Sequence, residues 1–555
     1  MERKLYSLIP RKRKPLTIST LRELAEYMEE KRPDVPVFSS LDYASGEMRY
    51  ISPHTLRTQA EGLGAWLYES GKSGKVVGIM GANCYEWFLA FYGAHYSSSI
   101  VLLLDRNAEK EYLKDQIRRS GCLDILYSPD VRKKALAMAE EMGLEATSFE
   151  DLADRAMEGR KALEAGKTGC LDHPMSGDDP GLIMYTSGTT GISKGVMLSN
   201  RNLLSNSDCF QDLVSTDLEQ VLLVPLNHIF AIFAHLNALT ADKGIHICLN
   251  LRYMVKDYQA AHPQLLFVVP LLARNMLELV WQGIRKQGKE EEVRSAIRKN
   301  NEKGDVSYPE RREMFAEYLS IFGGRLEKLV CGGAPLEEAL IRGFADFGIL
   351  LKEGYGITEC SPGLAMNPDW KIKIGTVGLT FPGHEIMIEN PDKNYIGEIC
   401  VKGPSVMLGY YKMEKETEAA MAGGWFHTGD LGFLDEEGYL TIVGRIKNLI
   451  ILSNGENISP EEIQAKLSLC KAISEVLVYD KNDKIAAMIY PDPDFVPGDE
   501  TPDTETYIRN FIGEYNKTAS SVKKINYIFF RDTPFEKTGA TMKIKRDFDK
   551  TPWEK

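Results

Sequence analysis

Apolar residues recur on a helical period through residues 50–70, and a polar Gly-Lys-Ser-Gly turn then gives way to the apolar run Lys75 to Met80. The spacing predicts a helix followed by a strand. Asn83 to Ala94 is again apolar on a helical period, and Ile100 to Leu104 reads as the next strand. Helices at 108–119 and 131–142, with the strand Leu123 to Tyr127 between them, repeat the alternation. This order predicts a parallel sheet covered by helices, so the first 150 residues form a doubly wound layer.

Residues 151–180 are polar and rich in Gly and Asp. Leu222 to Phe233 and Leu265 to Pro270 read as buried strands, each with a proline where a site loop could begin. Residues 274–320 predict a charged helical pair with a solvated face. From Gly397 to Arg445 short strands and turns alternate, a spacing that suggests a small β-barrel. Beyond Arg445 the pattern gives a strand near 449–452, a helix at 459–470, strands from Glu475 and Lys484, a helix at 502–516 and a strand from Ile525. Residues 446–555 are therefore a small α+β domain, and residues 1–445 the large one.

A chain of 555 residues exceeds what one core organises, in agreement with two or more domains. Its 43% hydrophobic and 26% charged content is that of a soluble globular protein. Against 67 Lys and Arg stand 79 Asp and Glu, a net charge of −12, which argues against nucleic acid as the main partner. The nine cysteines are scattered, with no Cys-x-x-Cys pair and no histidine at ligand spacing, so the sequence carries neither a zinc signature nor a disulfide framework. A reducing cytoplasm fits this usage. The basic N-terminus lacks the apolar core of a signal peptide; it suits either a frayed solvated tail or peripheral contact with an anionic membrane surface. No run is long enough to predict a transmembrane segment.

Candidate chemistry centres on Tyr185 to Gly195. This stretch sets four hydroxyls (Thr186, Ser187, Thr189, Thr190), three glycines (Gly188, Gly191, Gly195) and Lys194 between two apolar runs. Glycines let backbone N–H groups approach an anion, and hydroxyls and lysine add donors, so a polyphosphate is the expected ligand. The order differs from a P-loop because Ile192 and Ser193 separate Gly191 from the lysine. A second glycine-rich piece, Gly332 to Leu336, precedes Gly354 to Glu359. There Tyr355 could lay its ring on a flat ligand and Glu359 could hold a hydrated cation, or the turn could be purely structural. Asp430, among Thr428, Gly429 and Gly432, suits a sugar diol or an Asx turn.

Taken together, the ordered motifs resemble the adenylate-forming superfamily of acyl- and aryl-CoA synthetases, luciferases and peptide-synthetase adenylation domains. They are most similar to bacterial long-chain-type fatty acid–CoA ligases. The resemblance implies an α/β fold: a large N-terminal domain of two doubly wound sheets plus a small β-barrel, and a small mobile α+β C-terminal domain hinged near Lys447. It implies ATP, Mg²⁺ and coenzyme A as cofactors. Thr186, Ser187, Gly188, Thr189, Thr190, Gly191 and Lys194 would handle the β- and γ-phosphates, and Gly333, Ala334, Pro335, Tyr355 and Gly356 the adenine. Thr358 would lie near the α-phosphate, Glu359 and Thr186 at the metal, and Asp430 and Arg445 at the ribose. His228 would line the acid pocket, and Lys543 would close on the acyl and phosphate oxygens. Two positions depart from the family pattern: Ser193 and Met542 replace a proline and a glycine before the two lysines.

The reaction so implied joins a carboxylic acid, expected to be a medium- or long-chain fatty acid, to AMP and then to CoA. Two other functions fit the same residues. One is acyl transfer to a separate acyl carrier protein, and the other is a non-catalytic nucleotide- or acyl-binding module.

Overall fold

A computed structural model describes residues 5–186, 193–452, 457–497, 501–538, 543–546 and 548–554. The chain divides into two units. The larger comprises Ser7–Ile386 and Val401–Phe426, and the smaller comprises Met387–Cys400 and His427–Lys555 with a short N-terminal piece. The boundary expected at 445/446 lies inside the smaller unit.

In the larger unit a seven-stranded sheet is built on Val76–Met80, which pairs in parallel with Ile100–Leu103 on one side and Cys122–Tyr127 on the other. Glu145–Ser148 extends one edge in parallel, and Pro180–Thr186 joins the other. Lys194–Ser199 then turns back antiparallel, followed by Gly409–Tyr410. The central strands are buried and apolar, which is why they read as uninterrupted apolar runs.

Helix packing on this layer depends on two glycines. Pro53–Glu69 and Leu152–Glu164 cross so closely that a Cβ on Gly62 would stand 2.2 Å from the carbonyl oxygen of Ala156. One on Gly159 would stand 1.8 Å from that of Gly62, so neither position admits a side chain. Ser52 starts the first of these helices by accepting from the Thr55 N–H, with Pro53 in the first turn where no amide is missed.

A second sheet in the same unit has Lys328–Cys331 between Leu265–Val268 and Leu350–Gly356, all parallel. Gln220–Leu222 pairs in parallel with Leu265–Val268 and Ile245–Ile247, and Phe38–Leu41 continues the parallel run. Gly363–Met366 and Gly378–Thr380 return antiparallel beyond Leu350–Gly356. Its core includes Tyr258, Met276, Phe322, Leu329, Phe344 and Phe347.

Two expectations need correction here. The apolar run Leu222 to Phe233 is not one strand: the strand ends at Leu222, and Ile229–Thr240 is a helix. A run that is apolar on every side lacks the periodicity that separates a buried strand from a buried helix. The charged region 274–320 is not a helical pair but four pieces, Pro270–Lys286, Glu290–Lys303, Tyr308–Met314 and Ala316–Leu319. The second ends at left-handed Gly304, and the third restarts on a capping box between Ser307 and Glu310.

The smaller unit carries the short strands Phe426–Leu434 and Tyr439–Arg445, antiparallel with a register shift at Leu431/Gly432. Its C-terminal part follows the expected order: Ile450–Ile451, the helix Pro460–Leu467, Ile473–Lys481, Lys484–Pro491, the helix Thr504–Thr518 and Ile525–Phe530. The last three strands form a mixed sheet, antiparallel and then parallel, over a core of Ile463, Val478, Ile489, Ile508 and Ile512.

Candidate active site

The stretch from Tyr185 to Gly195 begins and ends on paired strands, with Thr186 opposite Lys194 and Tyr185 opposite Gly195. Ser187, Gly188, Thr189, Thr190 and Gly191 lie outside the described residues. The start of the second strand is held by Arg119, whose Nη1 donates to the backbone oxygen of Ser193 at 2.6 Å and to its Oγ at 3.2 Å. The same guanidinium lies 5.2 Å from the ring centroid of Tyr185. Where the family pattern has a proline, this chain thus has a hydroxyl anchored by an arginine.

Lys194 and Glu359 meet across a residue that sequence reasoning missed. Tyr410 sits on the edge strand Gly409–Tyr410, opposite Val196. Its Oη donates to Oε1 of Glu359 at 3.1 Å, and Lys194 Nζ lies 4.5 Å from the centroid of its ring. The backbone oxygen of Glu359 also accepts from the Met407 N–H at 2.8 Å. Nothing in the local sequence marks Tyr410, because its partners arrive through strand pairing.

Tyr355 and Gly356 end the strand Leu350–Gly356, where the register to Gly363–Met366 shifts between these two residues. A Cβ on Gly356 would fall 2.2 Å from the carbonyl oxygen of Pro362, so the strand can turn there only as glycine. Thr358 and Glu359 follow in a single 3₁₀ turn. Buried Asn206 clamps this turn: its Nδ2 donates to the carbonyl oxygens of Cys360 at 3.1 Å and Gly363 at 2.7 Å, while its Oδ1 accepts from the Gly363 N–H at 3.0 Å. Gly333, Ala334 and Pro335 form an exposed loop after Lys328–Cys331, with Gly333 at φ +87°. Glu353 ties this loop to the neighbouring strand by accepting from the Leu336 N–H at 3.1 Å, and burial pushes its carboxyl up to about 7.

His228 caps the helix Ile229–Thr240. Its Nε2 is buried with no hydrogen-bond partner among the described residues, and burial lowers its pKa against a small opposing effect of Asp105. Burial therefore favours the neutral ring. Phe230, two residues on, packs with Phe233 and Phe267, and its ring comes within 3.8 Å of where a Cβ on Gly332 would stand. A buried imidazole nitrogen with no partner among the described residues can receive a carboxylate.

In the smaller unit Asp430 lies directly opposite Arg445, and Arg445 Nε donates to Asp430 Oδ1 at 2.7 Å. Lys447 follows in an exposed 3₁₀ turn. Lys543 begins the second strand of a hairpin whose first strand is Lys537–Thr538, with Thr538 opposite Lys543. The Lys543 side chain and Met542 lie outside the described part, as do residues 453–456. Both flanks of the hairpin are anchored. Glu475 accepts from the Phe535 N–H at 2.7 Å and pairs with Lys537, while Arg546 donates to Glu461 at 3.0 Å and Gln464 at 2.8 Å. The same oxygen of Glu461 accepts from Asn448 at 2.7 Å, so the residue after Lys447 and the arm after Lys543 share one carboxylate.

The fold is that of the adenylate-forming enzymes. The chain belongs to the AMP-binding enzyme family, whose model matches residues 26–411. It is 26% identical over 452 residues to the long-chain-fatty-acid–CoA ligase FadD15 of Mycobacterium bovis, covering 77% of this chain and 74% of that one. It is 25% identical over 510 residues to a long-chain-fatty-acid–CoA ligase of Salmonella typhimurium, covering 84% of each. Among solved structures, ATP-bound MatB from Rhodopseudomonas palustris superposes with a TM-score of 0.71 at 24% identity, over 93% of this chain and 96% of that one. O-succinylbenzoate coenzyme A synthetase from Bacillus subtilis, in complex with ATP and magnesium ion, gives 0.72 at 21% identity, over 94% and 98%. The kinship is with acyl-CoA ligases. Among the described residues no helix is long and apolar enough to cross a membrane.

Proposed function

We propose that this protein activates a carboxylic acid, a medium- or long-chain fatty acid, as its acyl-adenylate and then transfers the acyl group to coenzyme A. The observation that carries this reading is the Lys194–Tyr410–Glu359 cluster, which joins a cation at the foot of the hydroxyl-rich turn to a carboxylate after the second glycine-rich strand. One group suits phosphate and the other a metal, as ATP with Mg²⁺ requires. The candidate metal donors, Glu359 and Thr186, are both hard oxygen ligands, the type Mg²⁺ prefers. When bound, the ion offsets phosphate charge as a Lewis acid.

The acid's carboxylate oxygen attacks the α-phosphorus of ATP, and the bond to pyrophosphate breaks. The CoA thiol, losing its proton, then attacks the acyl carbon and AMP leaves. His228 donates through its buried nitrogen to the acid and orients it. Lys194 holds the departing phosphates, Thr358 contacts the α-phosphate, and Asp430 with Arg445 grips the ribose. Lys543 offsets charge that develops when two anions are brought together, the largest electrostatic demand of the first step. Lys447 is the hinge about which residues 446–555 reorient, so that Lys543 serves the first step and clears the thiol's path in the second.

Purified protein with ATP, Mg²⁺, CoA and a panel of fatty acids should release AMP and pyrophosphate and form the thioester. ADP as product would overturn the reading. Replacing CoA by acyl carrier protein separates transfer to a carrier from transfer to CoA, and binding of nucleotide without turnover would instead mark a non-catalytic module.

A further inference from the structure

Away from the residues assigned above, three neighbouring strands of the smaller unit converge on a second chemical cluster. Glu389 ends Glu385–Glu389, Glu398 and Cys400 lie two apart on Gly397–Lys402, and His427 is the second residue of Phe426–Leu434. The three strands are consecutive in the sheet. Because side chains alternate along a strand, Glu398 and Cys400 share a face. One ligand-type atom from each of the four residues falls within 4.8 Å of all the others.

The separations from the histidine are those of a coordination shell. From His427 Nδ1, Glu398 Oε2 lies at 3.2 Å, Cys400 Sγ at 3.4 Å and Glu389 Oε2 at 3.6 Å. Tetrahedral zinc, with bonds of about 2.0–2.3 Å to nitrogen, oxygen and sulfur, sets neighbouring ligand atoms about 3.3–3.6 Å apart. Cys400 is fully buried, whereas Glu389 is 36% exposed, so the cluster has a closed back and an entry side. Glu398 is already braced: its other oxygen, Oε1, accepts from the Gly429 N–H at 2.9 Å, leaving Oε2 toward the histidine. Such support from outside the ligand set fixes a carboxylate for metal.

We propose that Cys400, His427, Glu398 and Glu389 form a structural site for a divalent borderline-soft cation of the zinc type. A buried sulfur beside an imidazole selects such an ion over Mg²⁺ or Ca²⁺, which prefer all-oxygen shells. Bound there, the ion cross-links three strands immediately before Asp430. The turn between is held by Thr428 Oγ1, which donates to the Ile399 carbonyl oxygen at 2.7 Å and accepts from the Asp430 N–H at 3.1 Å. The ion therefore braces the strand that presents Asp430. This holds whatever acid the protein uses, because its test reads metal and not turnover.

The test is cobalt substitution in the full-length protein after chelator treatment, in buffer containing millimolar Mg²⁺. One equivalent of Co²⁺ should give the visible bands of a four-coordinate ion and a near-ultraviolet thiolate-to-cobalt band, both abolished by stoichiometric Zn²⁺. Cys400→Ser should lose the thiolate band. His427→Ala and Glu389→Gln should each weaken binding at least tenfold, and far-ultraviolet circular dichroism reports whether each variant folds. Glu389→Gln, changed at an exposed strand end, keeps the test open if a core variant does not fold. No thiolate band in the wild type, displacement of the ion by Mg²⁺, or unchanged affinity in folded His427→Ala or Glu389→Gln would overturn the assignment.

Discussion

Arg445 Nε donates to Asp430 Oδ1 at 2.7 Å directly across a strand pair, and the two groups differ sharply in exposure: 6% for the aspartate side chain, 42% for the arginine. The carboxylate is thus held by a guanidinium that still faces outward. If both grip the ribose, removing either one leaves the other misdirected. Arg445→Ala, which removes a hydrogen-bond donor to a buried carboxylate, should raise the KM for ATP roughly 10- to 10²-fold, the loss expected for a hydrogen bond to a charged group. Asp430→Ala should cost a similar amount, and the double variant clearly less than the sum. Additive losses in ATP–pyrophosphate exchange would refute the pair.

Tyr410→Phe keeps a ring beside Lys194 and removes the hydrogen bond to Glu359. The expected cost is about 1 kcal/mol, near fivefold in kcat, with a higher Mg²⁺ concentration needed for half-maximal rate. Glu359→Ala should lower kcat by about 10²–10³, as loss of a main electrostatic group does. An unaltered Mg²⁺ dependence in Tyr410→Phe would separate the tyrosine from the metal.

Lys543→Ala should reduce acyl-adenylate formation by about 10²–10³ while conversion of supplied acyl-AMP to thioester is largely retained. Arg546→Ala, which unties the hairpin from Glu461 and Gln464, should impair the same half-reaction through misplacement of Lys543. Half-reactions measured separately decide this, and equal losses in both would contradict the role.

Glu353 gives the fold a pH dependence. Burial raises its carboxyl from 4.5 to about 7, so the folded chain holds this proton where the unfolded chain has released it. Its stabilising contribution is complete below about pH 4.5 and is lost as pH rises through about 7, on the order of 3 kcal/mol in all. Glu353→Gln should therefore melt at higher temperature than wild type at pH 8 and differ little near pH 4.5. An identical pH dependence of Tm in the variant would show that Glu353 does not contribute.

The order of helices and strands from residue 50 to 142 and after residue 446 was readable because most elements there keep their own period and are bounded by polar turns, whereas the helix Leu21–Lys31 and the strands Phe38–Leu41 and Met48–Ile51 were not read. The two strands on either side of residues 187–192 were readable for the same reason, and the resemblance to acid-activating enzymes rested on motifs contiguous in sequence. Leu222 to Phe233 was misread because a segment buried on all sides has no polar face to report its geometry.

What the chain alone determined is this alternation, together with local motifs whose residues are neighbours. Tertiary structure decided which distant residues complete them: Arg119 at Ser193, Tyr410 between Lys194 and Glu359, Asn206 under the turn after Tyr355. It also brought Cys400 and His427 to 3.4 Å, although neither carries a spacing signature. The physical reason for Tyr410, Cys400 and His427 is that strand pairing and sheet order set these distances through backbone hydrogen bonds, which any sequence of suitable period can make, while Arg119 and Asn206 are brought in by helices remote in sequence from their partners. The position of a side chain across a sheet is therefore not written in its neighbours along the chain.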